Sequence, residues 1–333
     1  KQLAAKAAEA NDNLKYLESI RSQCTALREI DPEKLVTVIP DLLSRVRLIW
    51  LHSAFYNSED RVCSLLRKIS NEIIMRFKQH IPVTDCFDGD VDFCILRLQE
   101  AIDCGVEWKN LYHKTVKHIL HTKSRYGDRY WNIDDASIFA QVDAFVQRCR
   151  DLIEVCESQM QFCRKSAKTK NESGPLPLFG GTKSQEITDA LMGIEASFEG
   201  LVDRLRRLEY NILDVRVSRW HDDYHYFKNA VKDLEVMFTN TIVSAYDNNS
   251  TVSEGIVLIE TFHTLAKRET VKRCVERKAA DMRAFFIKQV GLVRAEFEQR
   301  RTNPPIRSIE PQYAGSALWA HSLFEMIKND FVA

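Results

Sequence analysis

The feature that most constrains the fold is a long stripe of apolar residues in the second half of the chain. Its members follow a 4-3-4-3 spacing: Ile187, Leu191, Ile194, Phe198, Leu201, Leu205, Leu208, Ile212 and Val215. A second stripe, offset by one residue, continues at Leu213, Val217, Trp220, Tyr224, Phe227, Val231, Leu234 and Phe238. This spacing places apolar side chains on one face of an α-helix, whereas a half-buried strand has a period of two. The offset leaves open whether residues 186–247 form one rod or two helices.

The rest of the chain has similar periods. They predict helices over 2–29, from 32 with Pro40 as a kink or a boundary, from Ser58 to Pro82, over 90–121, from 134 or 135, over 253–301 and from 316. The polar stretch 122–129 predicts a loop. Only 11 glycines and 8 prolines interrupt the 333 residues, and no segment alternates with period two. We therefore predict an all-α fold, an elongated stack of helical bundles made of long amphipathic helices.

One stretch departs from this pattern. Residues 166–185 contain two of the eight prolines and three of the eleven glycines, a composition that cannot build a core. It predicts a flexible linker between a first bundle or bundles over 1–165 and a second bundle with long helices over 186–302. Residues 303–333 then form a Pro-containing connection and the start of a next bundle. Because the chain opens at Lys1 inside helical sequence, we expect it to be a piece of a longer protein.

Charge and cysteine content argue against several classes of protein. The 47 basic and 47 acidic residues balance, so nothing suggests nucleic acid or a membrane surface as a partner. The apolar runs are far shorter than the roughly 20 residues of a membrane helix. Nine scattered cysteines predict reduced thiols in a cytosolic compartment. Cys149, Cys156 and Cys163 lie seven residues apart, about 10 Å along a helix, and are predicted to be small apolar seam residues rather than ligands of one metal.

Histidine pairs are the nearest approach to a metal site. His221 and His225 are one helical turn apart, which suits zinc, but Asp222 stands where zincin chemistry needs Glu and no third ligand is obvious. A solvated polar face is the simpler interpretation, with a metalloenzyme as the competing one. Near Cys104, only His118 and His121 share a helix face, because the five-residue step from His113 does not match the helix period.

Catalytic motifs are missing from the sequence. The segment 180–183, Gly-Gly-Thr-Lys, lacks the preceding strand and the first glycine of a phosphate-binding loop. No GxSxG motif or paired Cys/His nucleophile is present. Residues 267–301 contain eleven basic and five acidic residues. This excess of positive charge could steer an acidic partner or simply form a solvated face. We predict no catalytic, cofactor-binding or metal-binding residue.

A series of short stretches carries a family resemblance. In order, they are NLKYL at 13–17 with Ile39-Pro40, VRLIWLHS at 46–53 with FYN at 55–57, LLRKISNEII at 65–74, IFAQVDAF at 138–145, YNILD at 210–214, and Pro304-Pro305, Pro311, Ala314-Gly315 and Trp319. Together, by their order and spacing, they resemble the N-terminal tail region of dynein heavy chains. The segment PLFGG at 177–181 is more similar to axonemal heavy chains than to cytoplasmic ones, and we expect an outer-arm chain.

The resemblance implies a non-catalytic stem within a microtubule-based ciliary motor complex, located in the cytoplasm, the cytoskeleton and the axoneme. The implied partners are WD-repeat intermediate chains with their light chains, and other heavy chains. No cofactor is expected here, since ATP and Mg would belong to the motor domain of the full-length protein. A cytosolic all-helical adaptor or tethering-complex subunit is the alternative. Because interface energy concentrates at exposed aromatic and Arg side chains, we predict partner-binding residues at Arg129, Tyr130, Trp131, Arg216, Arg219, Tyr224 and Tyr226.

Overall fold

The structure is a computed structural model that describes residues 2–126, 131–163, 179, 184–247, 252–302 and 312–332. Within these ranges the chain forms helices and no strand, which confirms the all-α prediction. The α-helices are α1 (Gln2–Glu29), α2 (Leu35–His52), α3 (Glu59–His80), α4 (Asp85–Asp88), α5 (Val91–Tyr126), α6 (Asp135–Phe162), α7 (Ser184–Arg206), α8 (Arg219–Asp247), α9 (Val252–Leu265), α10 (Glu269–Thr302) and α11 (Gln312–Val332). None of the helices described here is long and apolar enough to cross a membrane.

Several predicted helix boundaries are confirmed, and others are wrong. Helix α1 has the predicted limits, and Pro40 lies inside α2 rather than ending it. Helix α5, however, runs on to Tyr126, so the predicted loop is wrong for residues 122–126, and residues 127–129 lie outside the described residues. The polar residues 122–126 include Lys and Arg, which are good helix formers, and the first helix-breaking residue is Gly127. Polarity alone does not end a helix.

The region 186–247 is two helices, not one rod. Helix α7 ends at Arg206 and α8 begins at Arg219. Arg148 of α6, itself buried, donates hydrogen bonds to the carbonyl oxygens of Ile212 and, at 3.3 Å, Val217 in the connection. Its guanidinium carbon lies 5.1 Å from the ring centroid of Trp220. Burial lowers the pKa of Arg148. One cation therefore holds the non-helical segment against α6.

The helix predicted over 253–301 is also broken, at residues 266–268 between α9 and α10. The buried side chain of Gln161 provides the physical reason. Its carbonyl oxygen accepts hydrogen bonds from the backbone N–H groups of Lys267 and Arg268 at 2.6 and 2.7 Å. Its amide nitrogen donates to the carbonyl oxygen of Leu265 at 3.0 Å. Three backbone groups that a helix break would leave unpaired are thus satisfied by one side chain.

The chain divides into two compact units. The described residues of the first unit lie in 2–160 and 202–227, and those of the second in 161–163, 179, 184–201 and from 228 onward. In the first unit, fully buried Trp108 donates its indole N–H to the Ser70 hydroxyl at 3.0 Å and meets the Phe139 ring edge-on. In the second unit, the ring of Phe162 lies 5.3 Å from that of Phe198 and 6.3 Å from that of Phe238.

Two glycines in helices allow a matched test of the packing between α5 and α6. A Cβ added at buried Gly105 would meet Val146 Cγ2 at 2.7 Å, whereas one at Gly193 of α7 would meet nothing within 4 Å. We expect Gly105→Ala to destabilise the protein by about 1–2 kcal/mol, because overpacking outweighs the gain in helix propensity. Gly193→Ala should stabilise it by up to about 1 kcal/mol. Urea unfolding followed by circular dichroism measures both, and equal midpoints for the two variants would contradict the close approach.

Candidate partner-binding surfaces

The residues predicted to bind partners lie in different surroundings. Arg129 and Tyr130 are outside the described residues. Trp131 is half-buried: its ring lies 4.9 Å from that of Trp50, edge-on, and its indole N–H donates to the Tyr112 hydroxyl at 3.1 Å. Trp131 therefore offers a partner only one part of its side chain.

The two predicted tyrosines of α8 differ in exposure. Tyr224 is 8% exposed, stacks on Trp220 with ring centroids 5.8 Å apart, and donates its hydroxyl proton to the Glu154 carboxylate. Tyr226 is 50% exposed, and the guanidinium of Arg204 lies 3.9 Å from its ring centroid. Of the two, Tyr226 presents the surface that a partner could reach.

Arg216 and Arg219 are both exposed, the first in the α7–α8 connection and the second at the start of α8. The backbone N–H of Arg216 donates to Asp214 Oδ1 at 3.2 Å, which fixes the turn that presents its side chain. This hydrogen bond, together with the burial of Ile212 and Leu213, fixes the backbone conformation near the two arginines. A partner-binding role for the seven predicted residues stays a prediction.

The histidines singled out in the sequence do not assemble a metal site in the part of the chain that the structure describes. His221 and His225 are exposed with ring centroids 4.5 Å apart, and neither joins a cluster of three potential ligands. His118 and His121 are exposed as well. Glu33, His80 and Glu100 do lie together, but the Arg97 guanidinium pairs with both carboxylates and already supplies the positive charge.

The cysteines include a contact that the sequence did not reveal. The structure joins Cys86 and Cys94 as a disulfide, so the prediction of reduced thiols throughout is wrong for this pair. Within the part of the chain that the structure describes, no disulfide joins Cys24, Cys63, Cys104, Cys149, Cys156 or Cys274. Cys149 and Cys156 are fully buried in α6, as seam residues should be, whereas Cys163 lies just beyond the end of the helix and is half-buried.

A surface that the sequence did not single out lies in the second unit. The buried residues of α10 are confined to its first turns, at Val271, Cys274 and Val275. Beyond them Met282, Val290, Val293 and Phe297 are half-buried, and the other large apolar side chains of α10 are exposed. We call the following set, with exposures between 38% and 67%, the α9–α10 apolar surface: Ile256, Val257, Phe285, Phe286, Ile287 and Leu292.

A cavity of about 330 Å³ opens within the α9–α10 apolar surface. Its lining is mostly apolar, with one acidic and one basic side chain: Val252, Ile256, Ile259, Glu260, Ala279, Met282, Arg283 and Phe286. Two residues of this surface, Ile256 and Phe286, line the cavity. Isolated exposed apolar residues are normal on a protein, but exposed apolar side chains that line a cavity mark a place where another chain can pack. Helix α10 also carries the excess of basic residues noted between residues 267 and 301.

An all-α fold with an exposed apolar helix face is typical of helical scaffold proteins that pack against other chains. A family model described as dynein heavy chain, N-terminal region 1, matches residues 1–332. The chain belongs to this family, as the N-terminal tail region of a dynein heavy chain, which confirms the resemblance seen in the sequence.

Known relatives narrow the type of heavy chain. The chain is 39% identical over 320 residues to the dynein-1-beta heavy chain of the flagellar inner arm I1 complex of Chlamydomonas reinhardtii. It is 26% identical over 330 residues to the outer-arm dynein beta chain of the same organism, and 27% identical over 315 residues to human dynein axonemal heavy chain 2. These alignments cover 95–99% of the chain but only 5–7% of the relatives' length.

The relatives are flagellar and axonemal heavy chains, in agreement with the cytoskeletal, axonemal localisation that the sequence predicts. Inner-arm and outer-arm chains are both among them, so the outer-arm assignment stays a prediction. The family match does not favour an adaptor unrelated to motors.

Proposed function

We propose that this chain is a non-catalytic stem segment of an axonemal dynein heavy chain that binds intermediate chains, with their light chains, and neighbouring heavy chains. The observation that carries the proposal is the α9–α10 apolar surface in a chain of this family. ATP and Mg act, in this proposal, in a part of the heavy chain beyond these residues. Successive packed helices suit a stem because each layer is supported by its neighbours.

The geometry of α10 supports a helix-packing mode of binding. Phe286 is 46% exposed, and its neighbours along the same stripe, Met282 and Val290, are half-buried. Residues at i and i+4 line one face of a helix, so these side chains form a row into which ridges of another helix can pack. The basic residues of α10 beside this row favour a partner with an acidic rim.

Phe286→Asp tests the surface, with Met192→Asp as its matched control. Met192, on α7 in the same unit, is 56% exposed and outside the α9–α10 apolar surface. We expect Phe286→Asp to weaken binding about 30-fold or more, because a central aromatic contact contributes about 2 kcal/mol or more to an interface. Met192→Asp should leave binding within about twofold. Pull-down and titration with a purified WD-repeat intermediate chain, and with a heavy-chain tail, measure the effect.

Circular dichroism and thermal unfolding establish that both variants fold. Equal loss of binding in the two variants would remove the α9–α10 apolar surface from the proposal. A wild-type chain that retains neither partner would contradict the recruiting role. ATP hydrolysis by the purified chain would contradict the non-catalytic role.

A further inference from the structure

Three buried cysteines from three helices converge in the first unit. Cys86 lies in α4, Cys94 in the first turn of α5 and Cys156 near the end of α6. Their sulfur atoms all lie within 4.8 Å of one another, and all three side chains are fully buried. Residues 86 and 94 flank a short loop, whereas residue 156 comes from far along the chain, so the fold itself assembles the cluster.

We propose that the reduced cluster is a three-thiolate site for a soft d10 metal ion, Cu(I) or Zn(II). Sulfurs bound at about 2.3 Å from such an ion lie about 3.7–4.0 Å from one another. Reduction of the Cys86–Cys94 bond lets these two sulfurs move apart toward that spacing, and the sulfur of Cys156 is within 4.8 Å of both. Within the described residues no carboxylate or imidazole joins the three sulfurs, and an all-thiolate set selects soft ions over Mg²⁺ or Ca²⁺.

The proposal starts from the reduced cluster, whereas the structure joins Cys86 and Cys94 as a disulfide. Low-molecular-weight thiols supply the electrons that reduce such a bond by thiol–disulfide exchange. Two such thiols deliver two electrons and two protons to the S–S bond, giving two cysteine thiols and one small-molecule disulfide. The ion then displaces one proton from each of the three thiols to solvent and forms three metal–sulfur bonds.

Burial raises the pKa of Cys156 to about 12, so the loss of its proton costs free energy that the metal–sulfur bond has to offset. A bound cation favours the thiolate, because its charge lies directly against the sulfur. Arg206 donates to the carbonyl oxygen of Phe87 at 3.1 Å, beside Cys86, which brings a positive charge near the anionic site.

The short helix α4 provides a way for the ion to enter, and a bound ion would stabilise the fold at this point. Helix α4 is one turn long and is flanked by non-helical residues, so it can open locally without unfolding α5 or α6. With three metal–sulfur bonds, this loop would be tied to both long helices. Metal binding at a structural site adds directly to folding stability.

Cys156→Ser and Cys149→Ser form a matched pair for the test, since both residues are fully buried in α6 and burial raises both pKa values to about 12. The full chain is reduced with a phosphine under argon, freed of reductant and titrated with Cd²⁺ as an optical probe. We expect one ion per chain, an ultraviolet thiolate-to-metal band, and displacement of Cd²⁺ by Cu(I). Cys156→Ser should lower the affinity at least about 100-fold, and Cys149→Ser should change it little.

Three results would overturn the proposal. These are a reduced wild-type chain that retains no ion after gel filtration, equal affinities in the two variants, and equal uptake by the chain with the disulfide intact. Cys94→Ser provides a second variant of the cluster if Cys156→Ser does not fold, and it should lose the ion as well. Intact mass, lower by two hydrogens in the disulfide form, establishes the redox state of every sample.

Discussion

Replacing Arg148 with Met is expected to destabilise the first unit by about 3 kcal/mol or more. The methionine fills a similar volume but donates no hydrogen bond, so the carbonyl oxygens of Ile212 and Val217 lose their donor. A buried polar group left without its partner costs about 1–3 kcal/mol, and two are affected here. The contact of the guanidinium with Trp220 is lost as well.

Arg150→Met is the matched control, because Arg150 lies on the same helix two positions later and is exposed. Urea unfolding followed by tryptophan fluorescence measures the difference, since four of the five tryptophans lie in the first unit. Arg148→Lys should fall between wild type and Arg148→Met, because lysine keeps the charge but not the forked geometry. If Arg148→Met and Arg150→Met unfold at the same urea concentration, Arg148 does not hold the connection.

Replacing Gln161 with Leu is expected to destabilise the α9–α10 junction by about 2–4 kcal/mol. The backbone N–H groups of Lys267 and Arg268 and the carbonyl group of Leu265 lose their partner together, in a place where the side chain itself is buried. Amide hydrogen exchange measured by mass spectrometry should show faster exchange in peptides that cover residues 262–272.

Gln185→Leu controls for the change of side chain. Gln185 is an exposed residue of α7 in the same unit, and its amide N–H donates to Asp189, one turn later. Gln161→Glu should have an intermediate effect, because a carboxylate accepts the two N–H bonds but cannot donate to Leu265. Unchanged exchange at 262–272 in Gln161→Leu would show that the break does not depend on this side chain.

The helix period predicted most of the fold because it is a local property, and the two breaks show its limit. Residues 265–268, Leu-Ala-Lys-Arg, contain no glycine or proline, so the local sequence carries no helix-breaking residue where the helix ends. The partner of the break, Gln161, is about a hundred residues away in sequence. Only tertiary structure brings the two together.

The apolar pattern also failed to predict the connection between α7 and α8, for a different reason. Leu208, Ile212 and Val215 continue the 4-3-4-3 stripe through a segment that is not helical. Ile212 is nonetheless buried, because turns can bury apolar residues as well as helices can. The side chains of Asn211 and Asp214 accept backbone N–H bonds two residues later, a competing local structure that favours turns.

The candidate sites depended on information that a single sequence does not hold. The helix period over residues 253–301 was visible, but whether the apolar side chains of such a helix face a core or solvent is decided by what packs against them. Likewise, the heptad spacing of Cys156 predicted its burial but not its nearness to Cys86 and Cys94. The absence of catalytic motifs, by contrast, could be judged from the sequence, because those motifs are defined by local spacing.

The connection between Arg206 and Arg219 also makes the chain extensible. Its turns shorten the path of the backbone, because each residue would span about 3.4 Å if the segment were extended. If tension along the backbone freed the Ile212 and Val217 carbonyls from Arg148, the connection could extend to a length of roughly 40 Å without unwinding α7 or α8. A continuous rod over 186–247 would have no such compliance.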